Sequence, residues 1–313
     1  MGKSDTALGM SPVRGILLKL GAVTAFMVMA SLVKATSEIV PPGQAVFFRS
    51  FFAFPILFGW LALRGQLRTG LKAHRPVSHV WRGLVGTSAM AFGFAGLGLL
   101  PLPEATALRF AQPIFVVVLA ALMLGERIRL FRTTAVLVGL AGVIVVLSPR
   151  LGGFADLSAN RAALGALFCL LSAGLAALAH VFIRKMVATE STSAIVFWFT
   201  ITSTVMSLLT LPFGWVWPSV EVAALLVMAG LCGGTGQILL TSAYRFAPAS
   251  VVAPFDYASM LLALLIGYFI FSEVPTVPML AGAAIVMASG GAIIWRERQL
   301  ALARGAARPV RPE

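Results

Sequence analysis

LPLPEATALRFAQP, residues 100–113, and APASVVAPFDYASM, residues 247–260, stand 147 positions apart, and reading one as a displaced copy of the other decides the fold. Each belongs to a longer pattern, Val80 to Leu147 and Val227 to Ile294. The pattern runs apolar helix, short turn with Pro, apolar helix, Gly-Glu or Ser-Glu, apolar helix. The offset carries Gly83 to Gly230, Leu84 to Leu231, Gly86 to Gly233, Pro101 to Pro248, Ala111 to Ala258, Glu126 to Glu273 and Ala141 to Ala288. It also carries Arg109 to Asp256, so a duplicated helix holds opposite charges at one position.

Working outward, the whole chain is apolar. Of its 313 residues 59% are hydrophobic and 11% charged, whereas soluble domains run nearer a quarter charged. Runs of about 20 apolar residues, enough to cross a hydrocarbon core, fall near 16–35, 44–63, 80–100, 103–124, 131–148, 162–182, 193–212, 222–243, 249–272 and 277–295. This predicts an all-α membrane protein of ten transmembrane helices. They divide into two five-helix repeats, 16–148 and 162–295, followed by a basic tail, 296–313. An odd number of helices per repeat makes the second copy enter from the opposite face, so the repeats are inverted about an axis in the membrane plane. The first run follows Lys3, Arg14 and Lys19 but continues to Leu32 and Val33, longer than a signal core, and reads as a retained helix.

The net charge of +13 is a topology signal. With the amino terminus in the cytoplasm, that side receives Lys3, Arg14, Lys19, Arg64, Arg68, Lys72, Arg75, Arg82, Arg127, Arg129, Arg132, Arg184, Lys185, Arg245 and the arginines of the tail. The outer side keeps Lys34, Arg150 and Arg161. The positive-inside rule then places both termini in the cytoplasm of an inner-membrane protein. Nucleic acid is a poor partner for charge distributed this way; the partners implied are the lipid bilayer and a small molecule. His74, His79 and His180 are scattered, Cys169 and Cys232 lie inside apolar runs, and neither a nucleophile elbow nor a phosphate-binding loop occurs. An enzyme is not indicated, and neither is a cofactor.

Polar groups at membrane depth are costly and usually face a cavity. Arg109 and Gln112 share a helix face, and the offset converts them into Asp256 and Ser259. Two readings stand: a central cavity with a cation on one wall and an anion on the other, or a salt bridge that orients the bundle. At 1.5 Å per residue Arg109 lies roughly 6–7 Å outward of its run's middle and Asp256 about as far inward of its own. A direct bond therefore needs an unwound turn, which Pro113 and Pro254 can supply. Phe110 and Tyr257, again equivalent, suit either a planar ligand or the core. Gln237, Thr241 and Tyr244 share a face and suit a polar ligand or interhelical bonding. Arg49, inside Phe47-Phe48-Arg49-Ser50-Phe51-Phe52, guards the outer mouth or snorkels there. Glu126 and Glu273 read as structural ends of a helix hairpin.

Leu100 to Leu108 leading to Leu124-Gly125-Glu126-Arg127, and Ala243 to Tyr257 leading to Ser272-Glu273-Val274-Pro275, resemble the EamA repeat of the drug/metabolite transporter superfamily. The resemblance covers nearly the whole chain. It implies alternating access around a cavity lined by runs 1, 3, 4, 6, 8 and 9. The second block looks most like the branch holding riboflavin importers and S-adenosylmethionine transporters. The chain departs from its own repeat at Ser272, where the first copy has Gly125. The reading that results is a carrier for a small polar metabolite, riboflavin-like or S-adenosylmethionine-like, with Arg109, Phe110, Gln112, Gln237, Thr241, Asp256, Tyr257 and Ser259 at its site. The alternatives are an amino-acid or other metabolite exporter of the same fold, a lipid flippase, or a membrane scaffold that moves nothing.

Overall fold

The computed structural model describes residues 12–67, 70–124, 130–149, 160–186, 189–246 and 253–306. Glu126 lies outside these residues, as does the tail beyond residue 306. The described elements are α1 (Pro12–Thr36), α2 (Pro42–Phe51), α3 (Phe54–Leu63), α4 (Pro76–Leu99), α5 (Leu102–Arg109), α6 (Gln112–Leu124), α7 (Leu130–Leu147), α8 (Arg161–Met186), α9 (Thr192–Leu208), α10 (Val220–Phe246), a 3₁₀ turn (Ala253–Tyr257), α11 (Ala258–Phe271) and α12 (Val277–Ala306).

The ten-span expectation is corrected here. Among the described residues four helices are long and apolar enough to cross a membrane: Val13–Thr36, Pro42–Leu63, Arg161–Ile183 and Val220–Ala243. Thr134–Leu147, Ser193–Leu208, Phe255–Phe271 and Val277–Ala292 are apolar but shorter. Hydropathy alone does not see where a helix breaks. Proline has no amide hydrogen for the carbonyl four residues earlier. Accordingly α5 ends at Arg109, four before Pro113, whereas the short interruption ahead of Pro55 leaves α2 and α3 together as one 22-residue apolar span. The fourth run thus becomes helices of 8 and 13 residues. The chain is a multi-pass, all-α membrane protein, with fewer full-length crossings than its apolar runs suggest.

Local chemistry fixes the helix starts. Ser191 Oγ accepts from the Ala194 amide at 3.1 Å to cap α9, and Asn160 Oδ1 accepts from Ala163 at 3.0 Å to begin α8. Proline opens α2, α4 and α5 near their first turns, where its missing amide hydrogen costs nothing.

The glycine-rich helices α4 and α10 are the hubs of the packing, and each takes its main partner from the other half of the chain. α4 packs on α8 and α9, while α10 packs on α1 and α2. Exchanging the halves reproduces these pairs: α1 with α10 becomes α8 with α4, and α7 packs on its own counterpart α12. Small residues allow this approach in lipid, where apolar contact gives no driving force. A Cβ at Gly142 would lie 3.0 Å from the Gly282 carbonyl, and one at Gly282 would meet the Gly142 carbonyl at 2.6 Å. Between them the halves bury one cluster around Leu102, Leu108, Phe110, Ala111 and Met260.

Candidate functional site

Asp256 sits in the 3₁₀ turn that precedes α11, and α1 packs against that turn. Its Oδ1 lies 2.7 Å from Lys19 Nζ; the lysine side chain is 3% exposed and the aspartate side chain 50%. A buried ammonium needs a carboxylate, while a carboxylate with one open side keeps acceptor positions for a further cation. This pair stands where one of the two readings put a salt bridge between Arg109 and Asp256. Among the described residues Arg109 makes no ion pair, although the helix breaks that a direct bond to Asp256 required are present. Arg109 keeps more than a third of its accessible surface.

Phe110 and Tyr257 meet edge to face, ring centroids 5.3 Å apart. Residues related by the 147-position offset that also touch must lie beside the axis that exchanges the halves. Tyr257 is further confined by α12, since a Cβ at Gly290 would collide with its hydroxyl. The ring also lines an apolar crevice of about 380 Å³, with Phe255, Met260, Leu264 and Met287 among its walls. Tyr257 brings the one hydroxyl in that lining, so the crevice is a poor seat for a polar solute.

The remaining candidates scatter. Gln112 Nε2 is 2.8 Å from His180 Nδ1, which also stands 2.8 Å from the Ala176 carbonyl, so Gln112 ties α6 to α8. Ser259 Oγ donates to the Asp256 carbonyl at 2.6 Å and is spent on the helix start. Thr241 Oγ1 donates to the Gln237 carbonyl one turn back, at 2.7 Å. The Gln237 side chain faces a small cavity shared with Arg49 and Thr200. Arg49 neither guards a mouth nor snorkels: it is buried against Phe199. Arg82, counted with the loop charges, is buried in α4.

Two further polar clusters frame the bundle. At the far end of α1, Lys34 Nζ lies 3.0 Å from Glu273 Oε1 and donates to the Leu100 carbonyl at 2.6 Å. The other oxygen, Glu273 Oε2, accepts from the Leu102 amide at 2.7 Å. Glu273 is thereby the structural end anticipated for it. Its neighbour Ser272 caps α11 in the left-handed region, φ 56°. That is the conformation for which glycine is favoured, and the equivalent position of the first copy holds Gly125. Outside the apolar helices, Glu190 accepts from the His74 amide at 2.9 Å and the Arg75 amide at 2.6 Å, with His79 Nε2 at 3.3 Å. Burial pushes this carboxyl up, but the two amides and His79 together outweigh it and hold it below the usual carboxylate range.

Sequence reasoning missed Lys19. The signal is in the sequence: Lys19 lies within the run 16–35 and not on its flank, and a charge inside an apolar run needs a partner.

Residues 13–148 and 163–295 each match the family model described as the EamA-like transporter family. The chain belongs to the EamA-like transporter family. It is a small-molecule transporter of the drug/metabolite transporter superfamily, not an enzyme. Among its EamA relatives is an S-adenosylmethionine uptake transporter of Rickettsia prowazekii, 30% identical over 256 residues, spanning 82% of this chain and 84% of the relative. A pseudopaline exporter of Pseudomonas aeruginosa PAO1 is 31% identical over 277 residues, 87% of this chain and 93% of that one. A riboflavin transporter of Rhizobium johnstonii is 28% identical over 94% of this chain and 96% of its own. A solved crystal structure superposes with TM-score 0.65 at 23% identity, covering 93% of this chain and all but 1% of the other (99% covered). That likeness shows the shared fold alone.

Proposed function

We propose that this EamA transporter carries a small zwitterionic metabolite, S-adenosylmethionine-like in chemistry, across the inner membrane, with Lys19 and Asp256 at its binding site. The observation that carries the reading is the asymmetric ion pair: a buried lysine bound to a carboxylate whose other side is open. A cationic group of the substrate engages Asp256, and its carboxylate competes for Lys19 or finds Arg109. Phe110 and Tyr257 form the aromatic wall beside the pair. Riboflavin, which offers no cation, uses this arrangement less well.

The halves 16–148 and 162–295 rock about the axis near Phe110 and Tyr257, and access alternates between the two ends of α1. With both termini cytoplasmic, as the basic loops favour, the Lys34–Glu273 end is the closed outer end and Asp256 lies towards the cytoplasm. The test is uptake of labelled S-adenosylmethionine and of riboflavin into proteoliposomes holding the purified protein. Saturable S-adenosylmethionine flux that is lost in Asp256→Asn supports the reading. Riboflavin flux untouched by that substitution, or S-adenosylmethionine flux that survives it, defeats it. Saturable flux of another metabolite in a broad panel, with none of S-adenosylmethionine, moves the substrate class elsewhere and also defeats it.

A further inference from the structure

Away from the Lys19–Asp256 pair, two arginines are buried in one place. Arg49 on α2 and Arg82 on α4 are each 5% exposed. Both guanidiniums lie over a single ring: Arg82 Cζ is 3.6 Å from the Phe199 centroid and Arg49 Cζ 5.6 Å. A ring face attracts one cation only modestly even when desolvated, far short of what two like charges in an apolar bundle require. Neither arginine has a carboxylate partner among the described residues. Arg49 Nε, Arg82 Nε and Arg82 Nη1 are buried and lack any hydrogen-bond acceptor there.

The backbone makes room for these groups in matching ways. Gly86 and Gly233 are equivalent under the repeat offset. A Cβ at Gly233 would stand 3.0 Å from Arg49 Nε, and one at Gly86 would stand 3.1 Å from Arg82 Nη1 and 3.0 Å from the Phe199 ring. Beside Arg49 is a cavity of about 10 Å³, lined also by Thr200, Gly233 and Gln237. That is room for one water-sized particle, too little for a metabolite carboxylate. Thr200 Oγ1 already donates to the Val196 carbonyl at 2.9 Å. The amide of Gln237 is therefore the neutral donor left to face the cavity.

We infer that Arg49 and Gln237 hold a small inorganic anion of halide size in this cavity between α2, α9 and α10, with Arg82 adding its charge from beside the Phe199 ring. A buried unpaired guanidinium, a second positive charge nearby and space for one particle point to that class of ligand. The site shares no residue with the Lys19–Asp256 pair, so the two readings fail independently.

The test is thermal melting of the purified full-length protein in detergent with sodium chloride, bromide or gluconate at constant ionic strength. Chloride and bromide should raise Tm saturably over gluconate, by about 2–4 °C. The rise should vanish in Arg49→Gln and Arg82→Gln. Because either variant can fail to fold, Gly233→Ala provides a second measure: it keeps both arginines, crowds Arg49 Nε and should weaken bromide at least about tenfold (1.4 kcal/mol). Bromide-soaked crystals should show an anomalous peak in contact with the Arg49 guanidinium. Identical melts in halide and gluconate overturn the inference. So does a halide effect that survives in all the variants, or a water in place of the anomalous peak.

Discussion

The two ends of α1 carry the same chemistry to different purposes. Lys19 and Lys34 lie roughly 22 Å apart along the helix, and each pairs with a carboxylate flanking α11, Asp256 before it and Glu273 after it. At the Lys34 end both side chains are mostly buried, at 13% and 16% exposed, and both have further partners in the Leu100 carbonyl and the Leu102 amide. At the Lys19 end the lysine is buried while the aspartate is half open. The Lys34 pair fastens three chain segments together: α1, the turn with Leu100 and Leu102, and the end of α11. A carboxylate with an open side keeps acceptor capacity, which the proposed binding role of Asp256 needs.

The comparison breaks most visibly at Asp256. Asp256→Asn should reduce flux in proteoliposomes by roughly 100-fold, about 2.7 kcal/mol, with a smaller change in Tm because the aspartate is half exposed and its pairing is screened. A large loss of Tm with little loss of flux would reassign the pair to structure.

Glu273→Gln should show the reverse. Removing the charge leaves Lys34 poorly paired and weakens the bond from Leu102, destabilising by about 1–3 kcal/mol. It should also loosen the closed end. In a background with Cys169 and Cys232 replaced by serine, a cysteine introduced by Ser37→Cys should react faster with a membrane-impermeant maleimide. Unchanged labelling and melting would show that this end is not held by the pair.

Glu190 provides a third, off-axis carboxylate for calibration. Its carboxyl is held below the ordinary value of 4.5 in the folded protein. The unfolded chain therefore binds the proton first, so this stabilisation is full above the unfolded value and disappears as pH falls through the folded one. Between neutral pH and about pH 4 Glu190→Gln should melt below the wild type, by about 2–4 °C. The curves should converge in stronger acid. Parallel curves would mean that the carboxylate has no preference for the folded state.

The smallest effect belongs to Ser272→Gly, which restores the glycine of the first copy next to Glu273. Relieving a left-handed non-glycine residue should add about 0.5–1 kcal/mol, read as a slight rise in Tm with flux unchanged. Any change in flux would tie the α11 cap to the transport cycle.

Much of this was legible residue by residue. The departure from the repeat at Ser272 is visible in the sequence, but its left-handed φ only in the structure. Pro113, read as able to supply an unwound turn, stands four residues after the end of α5, while counting apolar residues gives ten uninterrupted spans. Phe110 and Tyr257 were marked as equivalents, and their contact follows from lying beside the exchange axis. Lys19, Arg49 and Arg82 were visible inside apolar runs but were explained one at a time, as flank, snorkel and loop. Each was a charge whose partner had to be sought elsewhere in the chain.

By itself the sequence determined the repeated pattern, the apolar runs and the family, because these rest on local periodicity and on residue types that act within a few positions; where those runs break into shorter helices was decided by the structure. Only the tertiary structure decided which carboxylate answers which cation. Asp256 meets Lys19, and Glu273 meets Lys34, because α1 runs along the segment containing α11. Arg49 and Arg82 come to share Phe199 because α2, α4 and α9 pack together. Charge pairing falls off within a few ångströms in a way that no spacing along the chain encodes.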